Sequence, residues 1–144
     1  VTLSAEEWAA LRPAEARAGF EWQLPEGVAR EFVRALSPVT DTIYTPRPQD
    51  ATLARLSARV ESVEGGRARI RLTGRWETAH DRDGDGKHPV RESADADGVA
   101  VYDVRRKELE SLLLVFSGTF RGVPPNDQPQ GTAAVVEWRA RDER

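Results

Sequence analysis

The strongest periodic signal along the chain repeats every two residues. Residues 53–63 and 67–79 alternate apolar and polar positions on either side of Glu64-Gly65-Gly66, as two half-buried strands joined by a hairpin do. A one-residue slip turns every side chain to the opposite face, so the faces themselves test the register. A two-residue Gly-Gly turn would set Glu61 opposite Ile70 and Arg59 opposite Leu72. A three-residue loop instead pairs Val60 with Ile70, Ala58 with Leu72 and Ala54 with Trp76, and brings Glu61 beside Arg69. The three-residue hairpin is therefore predicted. A third strand is expected over 94–104 and, beyond the polar turn Arg105-Arg106-Lys107-Glu108, a fourth over 109–121. In the fourth, Leu112-Leu113-Leu114-Val115-Phe116 is apolar at every position, which suits a strand covered on both faces. The N-terminal helices would cover one face. A sheet curling on itself, an apolar ligand or a partner subunit would cover the other. A Pro-containing loop over 122–131 leads to a last strand over 132–140.

The first 38 residues read as helical. Ser4-Ala5-Glu6-Glu7 is a capping box, in which hydroxyl and carboxylate each satisfy a backbone N–H of the first turn, and Leu3 can staple onto Trp8. Pro13 ends this helix. A second begins at Pro25, with Val28, Ala29, Phe32, Val33 and Leu36 on one stripe and Arg30, Glu31 and Arg34 on the other side. Pro38 closes it, and 37–50, with Pro38, Pro46 and Pro48, is an extended connection. The expected architecture is one α+β domain over 1–144. Helices in 1–38 pack on a curved antiparallel sheet of about five long strands in 51–141.

Composition narrows the function. The 144 residues contain no cysteine, which excludes a thiolate nucleophile, a disulfide and a Cys-based zinc site. The chain has no methionine either, even at position 1. It reads as a processed form or an excised domain, with an extracytoplasmic location, periplasmic or secreted, expected for a bacterial-type exported protein. No apolar run approaches the ~18 residues of a spanning helix, so no transmembrane segment is expected. The net charge of -3 gives no bulk attraction to nucleic acid.

One motif carries chemistry. Residues 81–92 match D-x-D-x-D-G-x5-E at Asp81, Asp83, Asp85, Gly86 and Glu92. This loop resembles the calcium-binding loop of the EF-hand family. The resemblance covers these twelve residues, without the flanking helices and without a second, paired loop. It implies a calcium ion held by the carboxylates of Asp81, Asp83, Asp85 and Glu92 and the backbone carbonyl of Lys87. The better analogy is an isolated acidic loop in which calcium stiffens a turn. Arg82, Lys87 and Arg91 offset part of its charge. His80 and His88, the only histidines, border the carboxylates and offer alternative ligands to a metal that favours imidazole, such as zinc.

Of the 21 basic residues all but Lys87 and Lys107 are arginine. Arg55, Arg59, Arg67, Arg69, Arg71 and Arg75 fall on one face of the first hairpin and form a candidate partner-binding surface. The aromatic residues, Trp8, Phe32, Trp76 and Phe116 among them, read as core. Glu77, Asp103 and Glu137 meet only in some strand orders, and no Walker loop, dinucleotide fingerprint, G-x-S-x-G or H-E-x-x-H motif is present. The expected function is a non-catalytic exported binding or accessory domain with a structural calcium loop. Two alternatives stand beside it. One is a subunit of a larger assembly, or a homo-oligomer, docking through apolar and arginine-rich sheet faces. The other is a small-ligand carrier or enzyme using a concave sheet pocket.

Overall fold

The computed structural model describes residues 4–36, 51–81, 89–121 and 128–140. Ser4 caps α1 (Ala5–Ala10) through both bonds of the capping box: the Glu7 N–H donates to Ser4 Oγ at 3.2 Å, and the Ser4 N–H donates to Glu7 Oε2 at 2.7 Å. A short strand β1 (Glu21–Gln23) and the helix α2 (Glu26–Leu36) follow. The remaining elements are long: β2 (Ala51–Glu64), β3 (Arg67–Asp81), β4 (Pro89–Asp103), β5 (Glu108–Arg121) and β6 (Gln130–Arg139). All six strands form one antiparallel sheet in sequence order, β1-β2-β3-β4-β5-β6.

This corrects the expected α+β class. The helices span six and eleven residues, and the fold is nearly all β. The amphipathic stripe of α2 is real, with Val28, Ala29 and Phe32 buried, but it is too short to cover a sheet of this size. Most of the core comes from the sheet's own inward side chains. Phe116, Ile70, Leu112, Leu114 and Val60 from the sheet, with Phe32 from α2, are the largest fully buried side chains, and the Trp76 and Phe116 rings meet at 4.3 Å. Each such side chain stabilises the fold by ~1.5–3 kcal/mol relative to exposure.

The sheet can bury its own face because it coils. Gly74, Gly98 and Gly118 alternate in phase with the inward residues, and each lies where a neighbouring strand approaches too closely for a side chain. At Gly118, the tightest, a Cβ would stand 2.0 Å from the Ser93 carbonyl oxygen. Such glycines let strands bend inward. The curvature brings both ends of the sheet to the N-terminal segment. α2 packs on β2 and also touches β6, and the Trp8 ring lies 4.8 Å from that of Trp138 on β6.

The first hairpin is built differently from expectation. The predicted pairs Val60–Ile70, Ala58–Leu72 and Ala54–Trp76 all form, and Arg69 bonds Glu61 at 2.9 Å. The turn, however, has two residues: Glu64 pairs with Arg67, and Gly65 and Gly66 have φ values of 57° and 82°, the doubly left-handed conformation that glycine supplies. A bulge between Val60 and Ser62 absorbs Glu61 as an extra residue and restores the register. A second bulge, between Val101 and Tyr102 in the β4–β5 register, makes Glu110 the extra residue on β5. Both bulged glutamates pair with arginines of β3, Glu61 with Arg69 and Glu110 with Arg67.

Candidate functional site

The acidic motif falls on the β3–β4 hairpin. Asp83, Asp85, Lys87 and His88 lie outside the described residues, and His80 and Asp81 are described only as backbone at the end of β3. The two strands stay paired up to Asp81–Pro89. Glu92 pairs with Thr78, three steps back along β4, and is buried on the inner face at 7% exposure. At ~3.3 Å per residue it stands ~10 Å along the strand from that last pair. Among the described residues, no group of three or more His, Asp or Glu side chains is placed to hold a metal.

The outer face of the sheet divides into two regions. Over β1 to β4 it is a lattice of ion pairs. Arg59 meets Glu21 at 3.5 Å, Arg69 meets Glu61 at 2.9 Å, Arg67 meets Glu110 at 2.8 Å, and Arg75 meets both Glu77 at 3.3 Å and Asp95 at 3.5 Å. Arg71 bonds Asp97. The Arg67 guanidinium is held above its ordinary pKa, first by its hydrogen bond to Glu110. Asp103 is held below the usual carboxylate value, first by the backbone N–H of Arg106, and it also accepts from the N–H of Arg105. Five of the six arginines proposed for partner binding therefore already have carboxylates within the chain, and Arg55 is the sixth. An open depression of about 900 Å³ lies over this region, with Glu21, Gln23, Ser57, Arg59, Arg71 and Thr73 in its walls. Its charged groups have partners within the chain, Arg59 with Glu21 and Arg71 with Asp97.

Near the middle of β5 and β6 the outer face carries a small apolar group, bordered by Asp97 on β4, Ser117 on β5 and Glu137 on β6. Leu113 is 46% exposed, Val115 39% and Val135 61%. The register makes them contiguous, since Val99 pairs with Leu113 and Val115 pairs with Val135. Scattered exposed hydrophobic residues are ordinary on any protein surface, but a contiguous group calls for an explanation. The five-residue run in β5 is thus covered on one side only.

One small void lies on the inner face among the described residues. Between Ala29, Ala54, Leu56, Trp76, Ala96 and Phe116 there is a void of about 10 Å³, at most one water molecule. Glu77, Asp103 and Glu137 do not assemble: they face Ser93, Arg67 and Leu113 respectively.

A second depression, of about 360 Å³, lies at the end of the sheet that bears the β3–β4 hairpin, with Glu77, Ala79, Arg91, Ser93, Thr119 and Arg121 among its lining. Arg91 and Arg121 are directly opposite each other on β4 and β5. Sequence reasoning gave Arg91 only a charge-offsetting part and Arg121 none, because their pairing depends on the bulge at Glu110. Without that extra residue Arg91 would face Phe120. Comparison with protein-family models, curated proteins and solved structures finds no match, so the chemistry rests on this geometry. Among the described residues no helix is long and apolar enough to cross a membrane.

Proposed function

We propose that the chain is a non-catalytic binding domain that docks onto a partner protein through the outer face of β4 to β6. The observation that carries this reading is the contiguous exposure of Leu113 and Val115 on β5 and Val135 on β6, opposite the buried inner side chains Leu112, Leu114 and Phe116 of β5. Removing such a patch from water is worth ~25 cal/mol per Å². The charged region contributes less, since a partner would have to break existing ion pairs there before making its own. The patch adjoins β6, the end strand of the sheet, so an extended segment of the partner can add its backbone along that edge.

The test is a photo-crosslinking residue at position 135 in the full chain, with a control at position 21 on the opposite edge. A discrete adduct from position 135 alone, lost on Leu113→Glu, is the expected result; its mass separates self-association from a different partner. Crosslinking that is absent at 135, or equal at 21, overturns the reading.

The acidic hairpin supplies an accessory role in the same proposal. Calcium bound by Asp81, Asp83, Asp85 and the Lys87 carbonyl would staple the end of the β3–β4 ladder, and an exported setting would supply the ion. Glu92, three steps back and buried, would reach it only if the ladder opened. Chelator-stripped protein should gain ~2.7 kcal/mol at a hundredfold excess of calcium over its dissociation constant. The double substitution Asp83→Ala and Asp85→Ala should abolish that gain, and no gain in the wild type removes calcium from the proposal.

A further inference from the structure

Three directly opposed arginine pairs lie on the outer face among the described residues: Arg55–Arg75, Arg59–Arg71 and Arg91–Arg121. Like charges facing each other across strands are destabilising unless something compensates them. In the first pair Arg75 is bound by Glu77 and Asp95, and in the second Arg59 is bound by Glu21 and Arg71 by Asp97. The third differs. Arg91 and Arg121 have no carboxylate partner among the described residues, and Glu77, the nearest outward acid on the next rung, is engaged by Arg75.

The surroundings suit a ligand. Ser93 pairs with Thr119 one rung below the two arginines, and Ala79, directly beside Arg91 on β3, is small enough to leave the depression open. Two guanidinium groups and the hydroxyls of Ser93 and Thr119 line the same 360 Å³ space on the outer face, together with Thr52, Thr78 and two carboxylates, Glu77, which is engaged by Arg75, and Glu92, which is buried on the inner face. A carboxylate is planar and one guanidinium satisfies both its oxygens. A tetrahedral dianion has enough oxygens and charge for both arginines and the hydroxyls together.

We propose that Arg91 and Arg121, with Ser93 and Thr119, form a binding site for a phosphate dianion, either free or as a small phosphomonoester. The site is separate from the apolar docking patch and stands or falls without it. The bulge at Glu110 creates it by bringing Arg121 opposite Arg91.

The experiment is thermal unfolding and calorimetry of the full chain in inorganic phosphate, in glycerol phosphate and in acetate, each against chloride at matched ionic strength. Inorganic phosphate should raise the melting temperature above the chloride control with one ion bound per chain. Glycerol phosphate binding at least as well identifies a monoester site, and its exclusion identifies a site for the free ion. Arg121→Gln and Arg91→Gln should each remove the phosphate response while raising the melting temperature in chloride, because the like-charge contact is relieved. Arg121→Lys should weaken binding about tenfold or more through loss of the guanidinium fork, and Arg55→Gln should leave it intact. A phosphate response no larger than that of chloride or acetate, or one that survives in both glutamine variants, overturns the proposal.

Discussion

Leu113 and Leu114 are consecutive residues of β5 with identical side chains, yet Leu114 is fully buried and Leu113 is 46% exposed. On the inner face Leu112, Leu114 and Phe116 are buried in the core cluster. On the outer face of the same strand Leu113 and Val115 are left exposed. Next to it, over β1 to β4, the outer face is equally exposed but carries charges that compensate each other. An exposed surface that is internally balanced needs no partner, whereas an exposed apolar surface keeps a hydration cost that only association removes.

The contrast between the two faces can be broken by substitution. Leu114→Ala should cost ~3 kcal/mol, the usual range for a buried leucine, while Leu113→Ala should change stability by no more than ~0.5 kcal/mol. Denaturant midpoints check both, and equal costs would mean that the two faces are not distinct. Gly118→Ala should cost ~1–3 kcal/mol by overpacking, because its Cβ would press on the Ser93 carbonyl and on Ala94 at 2.5 Å. Gly131→Ala on β6 has open space around it and should be nearly neutral in the same melt.

The charged region should respond least. Asp97→Asn should lower stability by less than ~1 kcal/mol, since Arg71 and Asp97 are substantially exposed and water screens such pairs. The difference should shrink further in high salt. A larger loss would show that the ion-pair lattice helps to hold the sheet. Asp103 sharpens this through pH. Its carboxyl titrates below the ordinary aspartate value in the folded chain, so its contribution is present above that ordinary value and lost as pH falls through the lowered one. Asp103→Asn keeps an acceptor for the two turn N–H groups but removes the charge. Its melting temperature should therefore fall less than that of the wild type between neutral pH and pH ~3.

Much of the sheet was legible in the sequence. Alternation located β2 and β3 and identified Ala54, Ala58, Val60, Ile70 and Leu72 as inward, and the continuous apolar run located β5. The capping box at Ser4 and the stripe of α2 are local, and both formed. The three-residue strand β1 was missed because its pairing with Ser57, Ala58 and Arg59 is non-local. The α+β expectation overweighted two local helix signals against the area of five long strands. As for the sites, the apolar run in β5 announced an uncovered face, but nothing in it said which side would remain open. The acidic hairpin was plain in the sequence, although the placement of Glu92 was not, since strand pairing continues past it to Pro89.

Periodicity, capping and turn residues determined which segments became strands and helices, because those preferences depend on neighbours a few positions away. They also fixed the Val60–Ile70 register, since only one alignment buries both apolar faces. Tertiary structure decided how that register was reached, through a Gly-Gly turn and a bulge at Glu61. It also decided that Arg91 would meet Arg121, through the bulge at Glu110. A bulge shifts every pair beyond it by one residue, and whether it forms depends on contacts across strands, here the ion pairs of Glu61 and Glu110 with arginines of β3. That information lies in the pairing of distant segments and has no local signature in the chain.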